Sequence, residues 1–191
     1  NLNPVGDADF TGIFDPNSQE ESRLAAMVKL MLDGNASGGT IQKGGYDYHG
    51  ANNRAAQVNL DAEAGRQIGI ALEAAHRKGK PFFVCVTTDG GVASNGGGAD
   101  ANAQGKFRFS SDSGERGALI GFAIGAAARP EADFTQIGAY NDNGAVDTSY
   151  LATATDTTVQ GLAMVYNYAV MTGNTQQFDE YLRKSNTTNP F

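Results

Sequence analysis

Cysteine is almost absent: Cys85 is the single one in 191 residues. No internal disulfide can therefore staple the fold, and the redox compartment stays open. Histidine is nearly as scarce, with His49 and His76 the only two. The 14 basic residues form no Lys/Arg cluster and are outnumbered by 21 acidic ones, for a formal net charge of −7. That balance argues against a nucleic-acid partner and for solubility, with cation binding as a further use of the acidity. No apolar run reaches the roughly 18 residues that a bilayer-crossing helix needs, so no membrane span is expected. Gly-x-Ser-x-Gly does not occur, which disfavours a Ser/His/Asp hydrolase built on a nucleophile elbow. No Walker loop occurs, and no Gly-x-Gly-x-x-Gly opens a helix after a strand.

What is present fits a globular protein with one sizeable core. Apolar residues make up 40% of the chain and charged ones only 18%, and 25 glycines fall largely in loops. The length predicts a single α/β domain over 1–191, or the carboxyl-terminal portion of a larger one. The opening Asn1-Leu2, without methionine, reads as a processed or incomplete chain.

Residues 1–17 read as an irregular lead-in. Ser18 with Glu21 forms a capping box, and Leu24, Met27, Val28, Met31 and Leu32 then repeat as a core-facing helical stripe closed by Gly34. The run Gly39–Lys43 is β-prone. Residues 53–78 carry the longest helical pattern, with Val58, Ala62, Gly65, Ile68, Gly69, Leu72 and Ala75 on one face. His76 falls in its last turn, where positive charge complements the helix dipole, so a structural role outweighs a catalytic one. Pro81 to Thr87 is a continuous apolar and β-branched run, suited to a parallel strand buried on both faces. Residues 90–105 read as a long glycine-rich loop, and Phe107-Arg108-Phe109 as an alternating strand. A strand is also expected within 118–126, and an Asn-Gly hairpin near 136–148. Two helices follow: one carries Val159, Leu162, Ala163, Tyr166 and Val170 and stops at Gly173, and a shorter one turns Phe178, Tyr181 and Leu182 inward.

Between the Gly39–Lys43 run and the long helix lies Gly44-Gly45-Tyr46-Asp47-Tyr48-His49-Gly50. A polar loop between strand and helix is where α/β proteins place their chemistry. Asp47 and His49, two residues apart, are a carboxylate and an imidazole, both metal-ligand types. The plain alternative is that Asp47 caps the next helix while His49 packs or hydrogen-bonds. Asp89, after the buried apolar run, would join them on the same rim or else serve as a turn residue before Gly90.

This element order, together with Gly-Gly-aromatic-Asp-x-His at 44–49, resembles the exported bacterial proteins grouped as domain of unknown function 1501. These are similar in turn to the alkaline phosphatase and sulfatase superfamily. The resemblance runs from about Leu24 to Leu182 and includes Gln136-Ile137-Gly138-Ala139 and the closing helix-Gly-helix. It implies a mostly parallel sheet flanked by helices, an exported location, and Asp47, His49, Asp89 and Asp112 as metal ligands. In such proteins two divalent metals lower the pKa of an attacking oxygen and neutralise charge on the transferred group.

This chain departs from that pattern. Ser113 follows Asp112 where the family has histidine, and Gly90 follows Asp89. Two histidines cannot build a histidine-rich two-zinc centre. Calcium, magnesium, manganese or a single zinc remain as the divalent metals these ligands would take. No counterpart of the family's nucleophile is found within 1–40, which places it upstream of Asn1 or removes it. The expectation is therefore an exported non-catalytic structural, assembly or binding protein, open to self-assembly or partner subunits. The alternative is a metal-dependent phosphate or sulfate ester hydrolase whose nucleophile precedes this chain.

Overall fold

The computed structural model describes residues 2–46, 51–87, 93–99, 107–111, 119–125, 139, 147, 149, 157–185 and 187. Among these residues there are four α-helices and four strands. The helices are α1 (Gln19–Leu32), α2 (Ala51–Arg77), α3 (Thr157–Thr172) and α4 (Thr175–Lys184). The strands are β1 (Phe82–Val86), β2 (Ala93–Ala99), β3 (Phe107–Ser111) and β4 (Ile120–Ile124). The chain divides into two compact units, one of 1–46, 56–84 and 123–125, the other of 47–55, 85–122 and 126–191.

In the first unit, α1 starts where its sequence signals say it should. The Ser18 hydroxyl accepts the Glu21 N–H at 3.3 Å. Glu21 does not close the box on Ser18; its carboxylate instead accepts the Asp15 N–H at 2.7 Å, holding the chain that enters the helix. Both helices of this unit end alike. Gly34 (φ +77°) and Gly79 (φ +62°) take the left-handed conformation. The next N–H then reaches back across the turn, Asn35 to the Leu30 carbonyl at 2.8 Å and Lys80 to that of Ala75 at 3.0 Å.

The core of this unit joins Leu24, Ala25, Val28 and Leu32 of α1 to Ile70, Ala71, Ala74 and Ala75 of α2. The α2 side of this core is mostly alanine, which carries little bulk. This is not the face that the glycines of α2 indicate: Val58 is 46% exposed, and Ala62, Gly65 and Gly69 also face solvent. The packing stripe runs through Gln67, Ile70, Ala71, Ala74 and Ala75, one step round the helix.

The lead-in is not irregular throughout. Asp7 caps a short 3-10 turn, Ala8–Phe10, with its side chain on the Asp9 N–H. That turn delivers Phe10, with no exposure at all, and Phe14 into the core. Phe82, Val84 and Ile124 also pack against this core.

A mostly parallel sheet flanked by helices is not what the chain builds. β1 pairs only with β4, and β2 pairs only with β3, as two separate two-stranded sheets among the described residues. The β2–β3 pair is antiparallel, with Ala93 opposite Ser111 and Ala99 opposite Phe107. The expected strand over Gly39–Lys43 is absent: these residues form no ladder. Nor is the 82–86 run buried on both faces, since Cys85 is exposed and its neighbours are half-buried. Residues 93–99, read from composition as loop, are a strand because antiparallel pairing to β3 satisfies their backbone polar groups. The hairpin expected near 136–148 lies mostly outside the described residues; the Asp147 N–H donates to the Ala139 carbonyl at 2.8 Å.

In the second unit, α3 and α4 pack against each other on either side of Gly173, with the Asn174 N–H on the Ala169 carbonyl at 2.7 Å. Ala169, Phe178 and Leu182 form a small core, with Leu162 and Tyr166 against it. The Tyr166 and Phe178 rings meet edge-on, 5.3 Å between centroids at 63°. Tyr181 does not join them: it is 62% exposed.

Candidate functional site

Asp47, His49, Asp89 and Asp112, the four residues singled out as metal ligands, all lie outside the described residues. The structure reaches the doorstep of three of them: Tyr46 directly precedes Asp47, Thr87 stands two before Asp89, and Ser111 directly precedes Asp112. His76 is described, exposed, in the last turn of α2 beside Arg77.

The approach to Asp47 is held by side chains from both long helices. The Lys43 ammonium meets Glu20 of α1 at 2.6 Å and pairs with Glu63 of α2 as well. The Tyr46 hydroxyl donates to the Leu60 carbonyl of α2 at 3.0 Å. Gly39 lies so close to α1 that a Cβ there would stand 2.8 Å from Met27 Cγ. These contacts explain why 39–43 is not a strand: the segment is a strap tied down by its side chains and by one bare α-carbon. Burial raises the Tyr46 phenol above its usual value, with Glu63 and Glu20 adding to it against the pull of Lys43. Burial works against the charge on Lys43 too, but the two glutamates outweigh it and raise its pKa.

A second charged network ties the lead-in to the helix ends. Lys29, only 7% exposed, pairs with Asp7 and, at 2.9 Å, with Asp33. Asp33 is shared with Lys78 of the α2 terminus at 2.5 Å, and Lys78 also faces Asp9 at 3.7 Å. Arg66 clamps Glu21 with two bonds of 2.6 and 2.9 Å. Arg77 bonds Glu73 at 2.8 Å and the Thr11 carbonyl at 2.7 Å.

The direction of the pKa shifts follows from these partners. Asp33, bonded by Lys78 and Lys29, is lowered to about 2. Asp7 is lowered by Lys29, Glu20 by Lys43, and Glu21 by Arg66. Lys29 is raised by Asp7 and Asp33. A general acid needs a carboxyl whose pKa is pushed up toward neutrality, and these four are pushed the other way. Among the described residues no group of three or more His, Cys, Asp or Glu is arranged to hold a metal.

Sequence reading did not find this network. The i,i+4 spacing of Lys29 and Asp33 and the basic last turn of α2 are its only local marks, and both are common on solvated helices. No family model, curated protein or solved structure matches the chain.

Proposed function

We propose that this chain is a non-catalytic structural, assembly or binding protein that works outside the cytoplasm. The observation that carries this reading is the state of its described carboxylates. Asp7, Glu20, Glu21 and Asp33 are each committed to a lysine or arginine and shifted toward permanent ionisation. Such groups lock segments together; they neither deliver nor accept a proton near neutral pH. Ser113 follows Asp112 where the family that the chain resembles has histidine, which supports the same conclusion, and the export follows from the resemblance carried by 44–49.

The test is an ester-hydrolysis assay on the full-length gene product. Aryl phosphate and aryl sulfate are supplied with calcium, magnesium, manganese or zinc in turn. No turnover above the metal-only blank is expected. Turnover that needs metal and disappears in Asp47→Asn and His49→Ala would overturn the reading in favour of a metal-dependent ester hydrolase.

A further inference from the structure

Residues 37–46 follow the end of α1 and form neither helix nor strand. Among the described residues, no backbone group of 37–45 hydrogen-bonds another backbone group. Apolar burial does not hold 40–42 either: Thr40 and Gln42 are exposed, and Ile41 is 42% exposed. The fastening is polar. Lys43, the only charged residue between Asp33 and Asp47, sets its ammonium between Glu20 of α1 and Glu63 of α2, and the Tyr46 hydroxyl bonds the Leu60 carbonyl. Glycine pairs at 38–39 and 44–45 flank Lys43, and Gly45 takes a left-handed φ of +89°. Pairs of this kind absorb large backbone rotations without moving the helices beside them.

The two ion pairs that fasten the segment are open to solvent. The Glu20 and Glu63 side chains are 51% and 47% exposed, against 19% and 25% for Asp7 and Asp33, the partners of Lys29. Mobile ions screen exposed pairs much more than shielded ones. Rising ionic strength therefore loosens Lys43 before it loosens the network that ties the lead-in to the helix ends. Glu20 keeps a second partner when Lys43 leaves, since it also hydrogen-bonds the buried side chain of Gln67.

We propose that residues 38–45 are a salt-sensitive latch, closed by Lys43 across α1 and α2 and able to open while both helices stay folded. A segment with no backbone ladder and little apolar burial draws its hold from a few polar contacts, so it opens far more often than the core that carries it. One side chain engages both helices at once, which makes the closure depend on a single ammonium. Opening frees the Glu20 and Glu63 carboxylates and lifts Gly39 from Met27. The latch works in the same way whether or not the chain hydrolyses esters.

Trypsin reads the latch directly, because cleavage after Lys43 needs that side chain in the protease pocket and out of reach of both glutamates. The full chain is digested with a trace of trypsin, and release of fragment 1–43 is timed by mass spectrometry against a free peptide of residues 37–50. At low salt the chain is cut there about tenfold more slowly than the peptide, and the difference shrinks about fivefold as sodium chloride rises to about 0.5 M, the scale of exposed ion pairs lost to screening. Glu20→Gln combined with Glu63→Gln speeds the low-salt cut by a similar factor and removes the salt response, while the thermal midpoint moves little. Cutting after Arg66, inside α2, stays slow throughout and reports the helical core. Cutting after Lys43 as fast as in the peptide at low salt, a rate indifferent to salt or to the paired substitution, or cuts after Lys43 and Arg66 that rise together would each overturn the proposal. The salt series uses the unaltered chain, so it decides the matter even if the substituted chain fails to fold.

Discussion

Lys29 shows what a single side chain does in this fold. It lies almost wholly inside, yet it is charged, because Asp7 and Asp33 replace the water it has lost. Removing it takes the ammonium from both Asp7 and Asp33, with Lys78 still able to serve Asp33. Lys29→Ala is expected to destabilise the first unit by about 2–3 kcal/mol, less than the loss of a fully buried partner because both carboxylates keep some solvent. Lys29→Met, which keeps the aliphatic stem against the core, should lose less than Lys29→Ala. Urea unfolding of the two variants measures both numbers. If Ala and Met are equal, the stem contributes nothing.

Two elements carry tests of their own. Gly39 has no room for a methyl group beside Met27, and the neighbour in the way includes Cγ as well as the mobile end of the side chain. Gly39→Ala is expected to cost about 1–2 kcal/mol by overpacking, and Met27→Ala in the same chain should recover most of it. A double-mutant cycle by thermal unfolding reads the coupling; simple additivity would mean that the strap does not press on α1. In the α3–α4 pair, Leu182 is 2% exposed in a cluster of few residues. Leu182→Ala is expected to cost about 2–4 kcal/mol and to release amide protection along 175–184, as seen by hydrogen exchange. Unchanged exchange in α4 would show that its docking does not depend on that side chain.

At the scale of the whole molecule, the charge networks fix how stability varies with pH. Asp7, Glu20, Glu21 and Asp33 bind protons more weakly folded than unfolded. Their contribution is complete above the ordinary carboxylate values of 3.8 and 4.5, and it drains as pH falls toward about 2, the folded value of Asp33. Lys29, Lys43 and Tyr46 hold protons more tightly when folded. Their contribution is complete below the ordinary values of 10.5 for lysine and 10.0 for tyrosine, and it is lost as pH rises through the raised folded ones. Unfolding midpoints measured from pH 2 to 11 should therefore give a plateau with an acid and an alkaline fall. High salt should lower the plateau modestly, because these pairs are only partly shielded from ions. A midpoint that rises on acidification below pH 4 would contradict the pairing.

The sequence by itself determined the elements whose signals are local. The Leu24–Leu32 stripe, the Ser18 cap and the glycine stops at 34 and 173 mark helices because 3.6-residue periodicity and capping chemistry operate within a few residues. The tertiary structure alone decided what those elements touch. Val58, Gly65 and Gly69 look like a packing face of α2, but Ala71, Ala74 and Ala75 meet α1, since complementary shape on the partner chooses the face. The Phe82–Val86 run has the composition of a buried parallel strand, yet its only described partner is β4, because strand pairing is settled by residues far along the chain. Lys29 reads as a solvated helix residue until Asp7, 22 positions away, folds back to meet it. Asp47 and His49 were legible as residue types on a glycine-flanked loop, whereas Lys43 and Tyr46, which tie the approach to that loop onto α1 and α2, carry no mark in the sequence.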